Sequence, residues 1–204
     1  MLIAKQLFDK GIIRIRNIDS IFIHLTQELK FNSSDVSDIL RSEIVYVVSS
    51  FDRFIHDIVK AGMIETYRGK RIPTTAYNNF PISLQQLNAI SNASTIPTPE
   101  HILAQSITEK HKHLSFQDPN KISEALSLIW QENHKWQRIA MEFNRNQNDI
   151  KIELKNIIIR RNQIVHEGDF DLSTKELQPI NHSDTIQIVD FIEQLGTTIF
   201  NLVN

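Results

Sequence analysis

The chain has 204 residues, of which 23% are charged and 41% hydrophobic, and a formal net charge of −2. These values exclude a disordered tail, a coiled-coil rod and a collagen-like fibre, and the length suits one domain, 1–204, with a core of its own. The absence of cysteine excludes a disulfide framework, a thiolate zinc site and a cysteine nucleophile; with no global positive field, any nucleic-acid binding must use a local patch.

The opening stretch MLIAKQLFDKGIIRIR alternates charges with short apolar runs, unlike a signal peptide, and no apolar run nears the roughly 20 residues that span a bilayer. A cytoplasmic protein without a membrane partner is expected. The first predicted helix carries Ile18, Ile21, Phe22, Leu25 and Leu29, with Asn17 and Asp19 as candidate caps. From Asp35 to Tyr67, Ile39, Ile44, Val47, Val48, Phe51, Ile55, Ile58 and Val59 recur at three- and four-residue steps, which predicts a long amphipathic helix capped by Ser34.

Helical spacing lapses in RGKRIPTTAYNNFP, where Gly69, Pro73 and Pro81 break the pattern and Arg68, Lys70 and Arg71 form a basic cluster, read as a solvated loop. A short helix follows over Ser83 to Ile90, then the polar connection SNASTIPTP. Thr98 caps and Pro99 opens a helix reaching about Leu114, and Asp118-Pro119 repeats that start signal for a helix carrying Ile122, Leu126, Ile129, Trp130, Trp136 and Ile139 to about Phe143, bent near Asn133. Next, from about Asp149, Ile150, Leu154, Ile157, Ile158, Arg161 and Val165 share a side until Gly168 stops the helix. Ser183 is expected to cap a final amphipathic helix with Ile186, Val189, Ile192, Leu195 and Ile199. Helix dominates despite an isoleucine content that by itself favours strands.

The chemistry concentrates in IIIRRNQIVHEGDFD. Arg160, Arg161, Asn162 and His166 crowd the polar end of an apolar helix, where basic residues also simply complement the macrodipole. At about 100° per residue Asn162 and His166 face the same way, about 40° apart, whereas Arg161 lies about 140° from His166, so Arg161 must reach around or the helix must loosen. Arginine binds phosphate oxygens bidentately and histidine exchanges protons near neutral pH, a pairing suited to phosphodiester chemistry. Between Lys151 and Arg161, Lys151, Lys155, Arg160 and Arg161 stand against the single acid Glu153, a local field for RNA.

Arg161-Asn162-Gln163-Ile164-Val165-His166 resembles the R-polar-x-x-x-H signature of the HEPN superfamily, and SEIVYVVSSFDRFIHDIV resembles the Glu-containing second helix of its RiboL-PSP-HEPN-like group. The resemblance implies an all-α bundle of about five to seven helices that forms a homodimer, with two motifs facing across a shared RNA cleft and a variable middle insertion at about 68–120. It implies a metal-independent endoribonuclease, using no cofactor, in which His166 is general acid or base in attack of a ribose 2′-hydroxyl on phosphate, leaving 2′,3′-cyclic phosphate and 5′-hydroxyl ends. Arg161 would hold the phosphate and Asn162 orient the imidazole or contact the phosphate, supported by Arg160 and by Glu43, which either fixes Arg161 or His166 or lies at the surface. Such a nuclease points to a prokaryotic toxin-antitoxin or anti-phage defence system, with a separately encoded antitoxin or sensor as partner. The alternatives are a non-catalytic HEPN-type RNA- or nucleotide-binding module and a helical assembly subunit.

Competing sites are poorer. His111 and His113 point about 160° apart on a helix, which argues against a metal site with His101. His24, His56 and His134 read as surface or interface residues, Trp130 and Trp136 as core or dimer-contact aromatics, and Asp52 and Arg53 as a solvated edge. Glu167 and Asp169 read as local caps or pairs.

Overall fold

The fold is organised around one long helix whose apolar side is sealed from water. In the computed structural model, which describes residues 1–93, 96–171 and 173–204, α2 (Asp38–Tyr67) runs through the centre of the bundle. Its Val47, Val48, Phe51, Ile55, Ile58, Val59 and Met63 are fully excluded from solvent. Around it pack α1 (Leu2–Ile23), α5 (Pro99–His111), α6 (Pro119–Ser127), α8 (Gln147–His166) and α9 (His182–Val203), and the short α3 (Thr75–Asn78), α4 (Leu84–Asn92) and α7 (Lys135–Phe143) complete an all-α architecture of nine α-helices among the described residues. Most of α2 therefore meets apolar stripes of its neighbours, while Tyr46, Ser49 and Arg53, at three- and four-residue steps, keep one face open to solvent.

The extra helices have local causes. The opening stretch is helical because its charges fall outside: Ala4, Phe8, Ile12 and Ile15 are buried at three- and four-residue steps, while Lys5 pairs with Asp9 on the outer face. Asn17 and Asp19 consequently lie inside α1, which continues as a π-helical turn His24–Glu28, and neither begins a helix. The expected helix to Phe143 splits after Ser127, where the amides of Leu128, Ile129 and Trp130 tighten onto the carbonyls of Ala125 and Leu126, and restarts at Lys135. Gly62 admits this crossing, since a Cβ there would stand 2.6 Å from Ile129 Cγ2.

Caps read from single residues hold where the side chain meets an orphan amide. Thr98 accepts from His101, Asp118 from Asn120 and Lys121, and Ser83 forms a reciprocal capping box with Gln86. Two expected caps move. Ser34 sits in the turn ahead of α2, which starts at Asp38, and Asn181 instead of Ser183 caps α9 by accepting the Asp184 amide at 2.9 Å. Ser94 and Thr95, in the polar connection before α5, and Leu172, in the segment after Gly168, lie outside the described residues.

The 68–71 cluster is largely spent on the fold. Arg68 pairs with Glu100, while Arg71 pairs with Glu65 and donates to the carbonyls of Ile129 and Val203. Trp136 is buried and donates to the Pro119 carbonyl at 3.0 Å, in keeping with a core role. Asp52 is no free edge carboxylate: it accepts the Phe116 amide at 2.6 Å. Among the described residues no helix is long and apolar enough to cross a membrane.

Candidate active site at the end of α8

Helix α8 is anchored at its start by Asn146, which accepts the Asn148 amide at 2.8 Å, and through its middle by the buried Ile150, Leu154 and Ile157. The burial stops there. Over the last two turns Ile159 and Val165 are exposed, and the helix ends at His166 without loosening. Gly168, at φ 65°, turns the chain away in the left-handed region that glycine adopts freely.

His166 is thus the last helical residue, and its side chain lies in the exposed part of the chain. Asn162, one turn earlier, is half-buried. The half-buried Arg161 turns onto its neighbour: its Nη1 donates to Asn162 Oδ1 at 3.0 Å, on the side of the helix that Asn162 shares with His166. Its Nε is buried with no hydrogen-bond partner among the described residues. Arginine, asparagine and histidine therefore form a polar strip in which Asn162 touches one member and shares a face with the other.

The neighbouring arginine has a different assignment. Arg160, expected to meet RNA, is directed inward: it pairs with Asp169 Oδ1 through Nη1 and with Oδ2 through Nη2 at 2.9 Å, and it donates to the Pro179 carbonyl at 3.3 Å. Arg41 of α2 joins it from the other side, with Nε 2.6 Å from Asp169 Oδ2. Asp169 is fully buried, as a carboxylate between two guanidiniums can be. Arg41 was not anticipated from sequence, although a cation beside Leu40 in so apolar a helix is a signal that it has a buried partner. Further along the loop, the hydroxyl of Ser173 and the amides of Thr174 and Ser173 hold the Asp171 carboxyl down at about 2.

Glu43 belongs elsewhere. It is fully buried, so the surface alternative is corrected, and neither carboxylate oxygen has a hydrogen-bond partner, so it grips neither Arg161 nor His166. Burial, with a smaller push from Asp19 and an opposing pull from Arg16, raises its pKa to about 8. Lys155 is exposed on α8, and Lys151 lies 6.0 Å from the Trp136 ring centroid, a cation–π distance that leaves a positive charge near the surface. The groove between α8 and α9, about 640 Å³, is lined by the carboxylates of Asp149, Glu153 and Asp184 and by Arg160, and Glu153 is paired with Arg145.

His111 is buried against Phe80 and Phe116, and burial, then the nearby His56, lowers its pKa. Among the described residues no cluster of three or more His, Cys, Asp or Glu is arranged to hold a metal ion.

The all-α bundle is the architecture that the HEPN resemblance implies. The chain belongs to the RiboL-PSP-HEPN family, whose model matches residues 10–204. That membership links it to ribonuclease or RNA-binding function. Among curated proteins and among solved structures, nothing matches it.

Proposed function

We propose that the protein is a metal-independent endoribonuclease acting as a homodimer in a prokaryotic toxin-antitoxin or anti-phage defence system. The observation that carries this reading is the exposed His166 at the terminus of α8, with Asn162 one turn before it and the Arg161 guanidinium resting on Asn162. In the proposed reaction one His166 imidazole takes the proton of a ribose 2′-hydroxyl. The 2′-oxygen bonds to the adjacent phosphorus, and the bond to the 5′-oxygen breaks. That oxygen receives a proton from the imidazolium of a second copy, which leaves a 2′,3′-cyclic phosphate and a 5′-hydroxyl. Arg161 stabilises the charge on the phosphoryl oxygens, and Asn162 orients the imidazole or contacts the phosphate.

A second copy is part of the reading because the proposed step uses one imidazole as base and another as acid, and each chain offers a single His166. Lys151 and Lys155 supply the field that draws RNA to α8. A free nuclease harms its host, so an antitoxin or sensor protein is proposed to hold it in check, and cytoplasmic location follows from an RNA substrate.

The test is incubation with RNA in EDTA. Cyclic-phosphate ends are expected from the wild type, and His166→Ala and Arg161→Ala should each lose on the order of 10²- to 10⁴-fold in rate. RNA binding without cleavage would replace this proposal with a non-catalytic RNA-binding module. Neither activity, with a large drop in melting temperature for Arg161→Ala, would leave the motif a structural role in a helical assembly subunit.

A further inference from the structure

A helix C-terminus is a poor place to hold a proton-transfer group, because its last four carbonyls lack intrahelical partners and the final turn opens at little cost. His166 stands at such an end. Three residues later the chain is tied to the helix and to the loop that follows. The Asp169 amide donates to the Gln163 carbonyl at 3.1 Å and the Glu167 amide to the same carbonyl at 3.0 Å, so His166 lies within a backbone turn closed twice onto one acceptor. The Asp169 carbonyl accepts the Gln178 amide at 2.8 Å, which fastens the outgoing strand of the loop.

The carboxylate of the same residue ties two helices together. Arg41 enters from the start of α2 and Arg160 from α8, and each also spends a guanidinium nitrogen on the loop backbone: Arg41 Nη2 on Gln178 O at 2.8 Å and Arg160 Nη2 on Pro179 O at 3.3 Å. Arg41 is braced in turn by Ser37 Oγ, to which its Nη1 donates at 2.8 Å, and by Asp38 at 3.5 Å. Asp169 holds this position at φ 62°, a backbone conformation that costs a non-glycine residue energy unless its surroundings enforce it.

We propose that Asp169, gripped by Arg41 and Arg160, is a positioning residue that fixes the end of α8 so that the His166 imidazole meets the scissile phosphate in a single orientation. The proposal rests on the ribonuclease reading above. A well-packed apolar trio could hold the same elements together equally well, since buried ion pairs are weak sources of stability. What a directional network of charged hydrogen bonds adds is placement, and a 1 Å error in placement costs a reaction of this kind about 10²-fold.

The experiment compares full-length wild type, Asp169→Asn and Arg41→Gln, with Lys112→Gln as control because it breaks an exposed pair to Glu109 of α5. Two readouts are taken: steady-state RNA cleavage, and hydrogen exchange at the Glu167 and Asp169 amides. Asp169→Asn should lower kcat 10- to 100-fold with KM within twofold and accelerate exchange at both amides at least tenfold. Arg41→Gln, which keeps the Arg160 pair, should show the same pattern at smaller amplitude, and the control should match wild type. A folded Asp169→Asn with wild-type kcat, or with loss through KM alone, overturns the proposal. If Asp169→Asn does not fold, Arg41→Gln decides by the same criteria. If the wild type leaves RNA intact, the ribonuclease reading fails by itself, and exchange at the two amides decides whether the knot orders the helix end: unchanged exchange in the variants overturns it.

Discussion

Both oxygens of Glu43 are buried and unbonded, and Arg16, whose charge acts on it, is engaged with Asp190 and Glu193. A buried carboxyl without donors keeps its proton, and its pKa stands at about 8 against an ordinary 4.5. Because the folded state then binds the proton more tightly than the unfolded state, this group's contribution to stability is fully present below about pH 4.5. It declines as pH rises toward 8 and is flat beyond. Glu43→Gln, which removes the ionisation and keeps the shape, should match wild type in urea titrations at pH 4.5 and exceed it by on the order of 2–4 kcal/mol at pH 8.5. Equal stability at both pH values would show that the carboxylate finds a partner. His166→Ala offers the contrasting case: an exposed side chain whose removal should change unfolding free energy by no more than about 0.5 kcal/mol while producing the loss of cleavage predicted above.

At the scale of elements, legibility in the sequence followed the distance over which each interaction acts. The caps at Ser83, Thr98 and Asp118 bind amides two or three residues away, so the residue type alone marks the helix start. Ser34 and Ser183 stand beside other residues able to cap, and tertiary packing chooses among them. The first half of α1 escapes notice because its charges interrupt the apolar run in sequence while lying on the opposite face in space. The motif on α8 is visible because it is local, yet what anchors it is not: Arg41 and Asp169 are 128 residues apart. Gly62 shows the same limit, since its value lies in the approach of Ile129 to α2. Gly62→Ala should therefore destabilise the protein by about 1–3 kcal/mol despite the higher helix propensity of alanine, as thermal unfolding can read. A rise in melting temperature would mean that the 128–134 segment yields easily.

For the whole molecule, a net charge of −2 means that the RNA binding proposed above relies on a local field, that of Lys151 and Lys155 on α8. Each phosphate neutralised by a lysine releases condensed cations, so affinity for a single strand falls with salt at a logarithmic slope of about −0.7 per contact. Lys155 is exposed and makes no ion pair among the described residues. Lys155→Gln, introduced into His166→Ala so that RNA stays intact, should reduce the steepness of that slope by about 0.7 in fluorescence anisotropy and weaken binding similarly for unrelated sequences. Arg160→Gln should behave differently, because its guanidinium is committed to Asp169: protein stability should fall while the salt slope stays within error of the parent. If instead Arg160→Gln flattened the slope and Lys155→Gln left it unchanged, RNA would be reaching the interior side of the helix end, and the arginine pair on Asp169 would have to open for substrate.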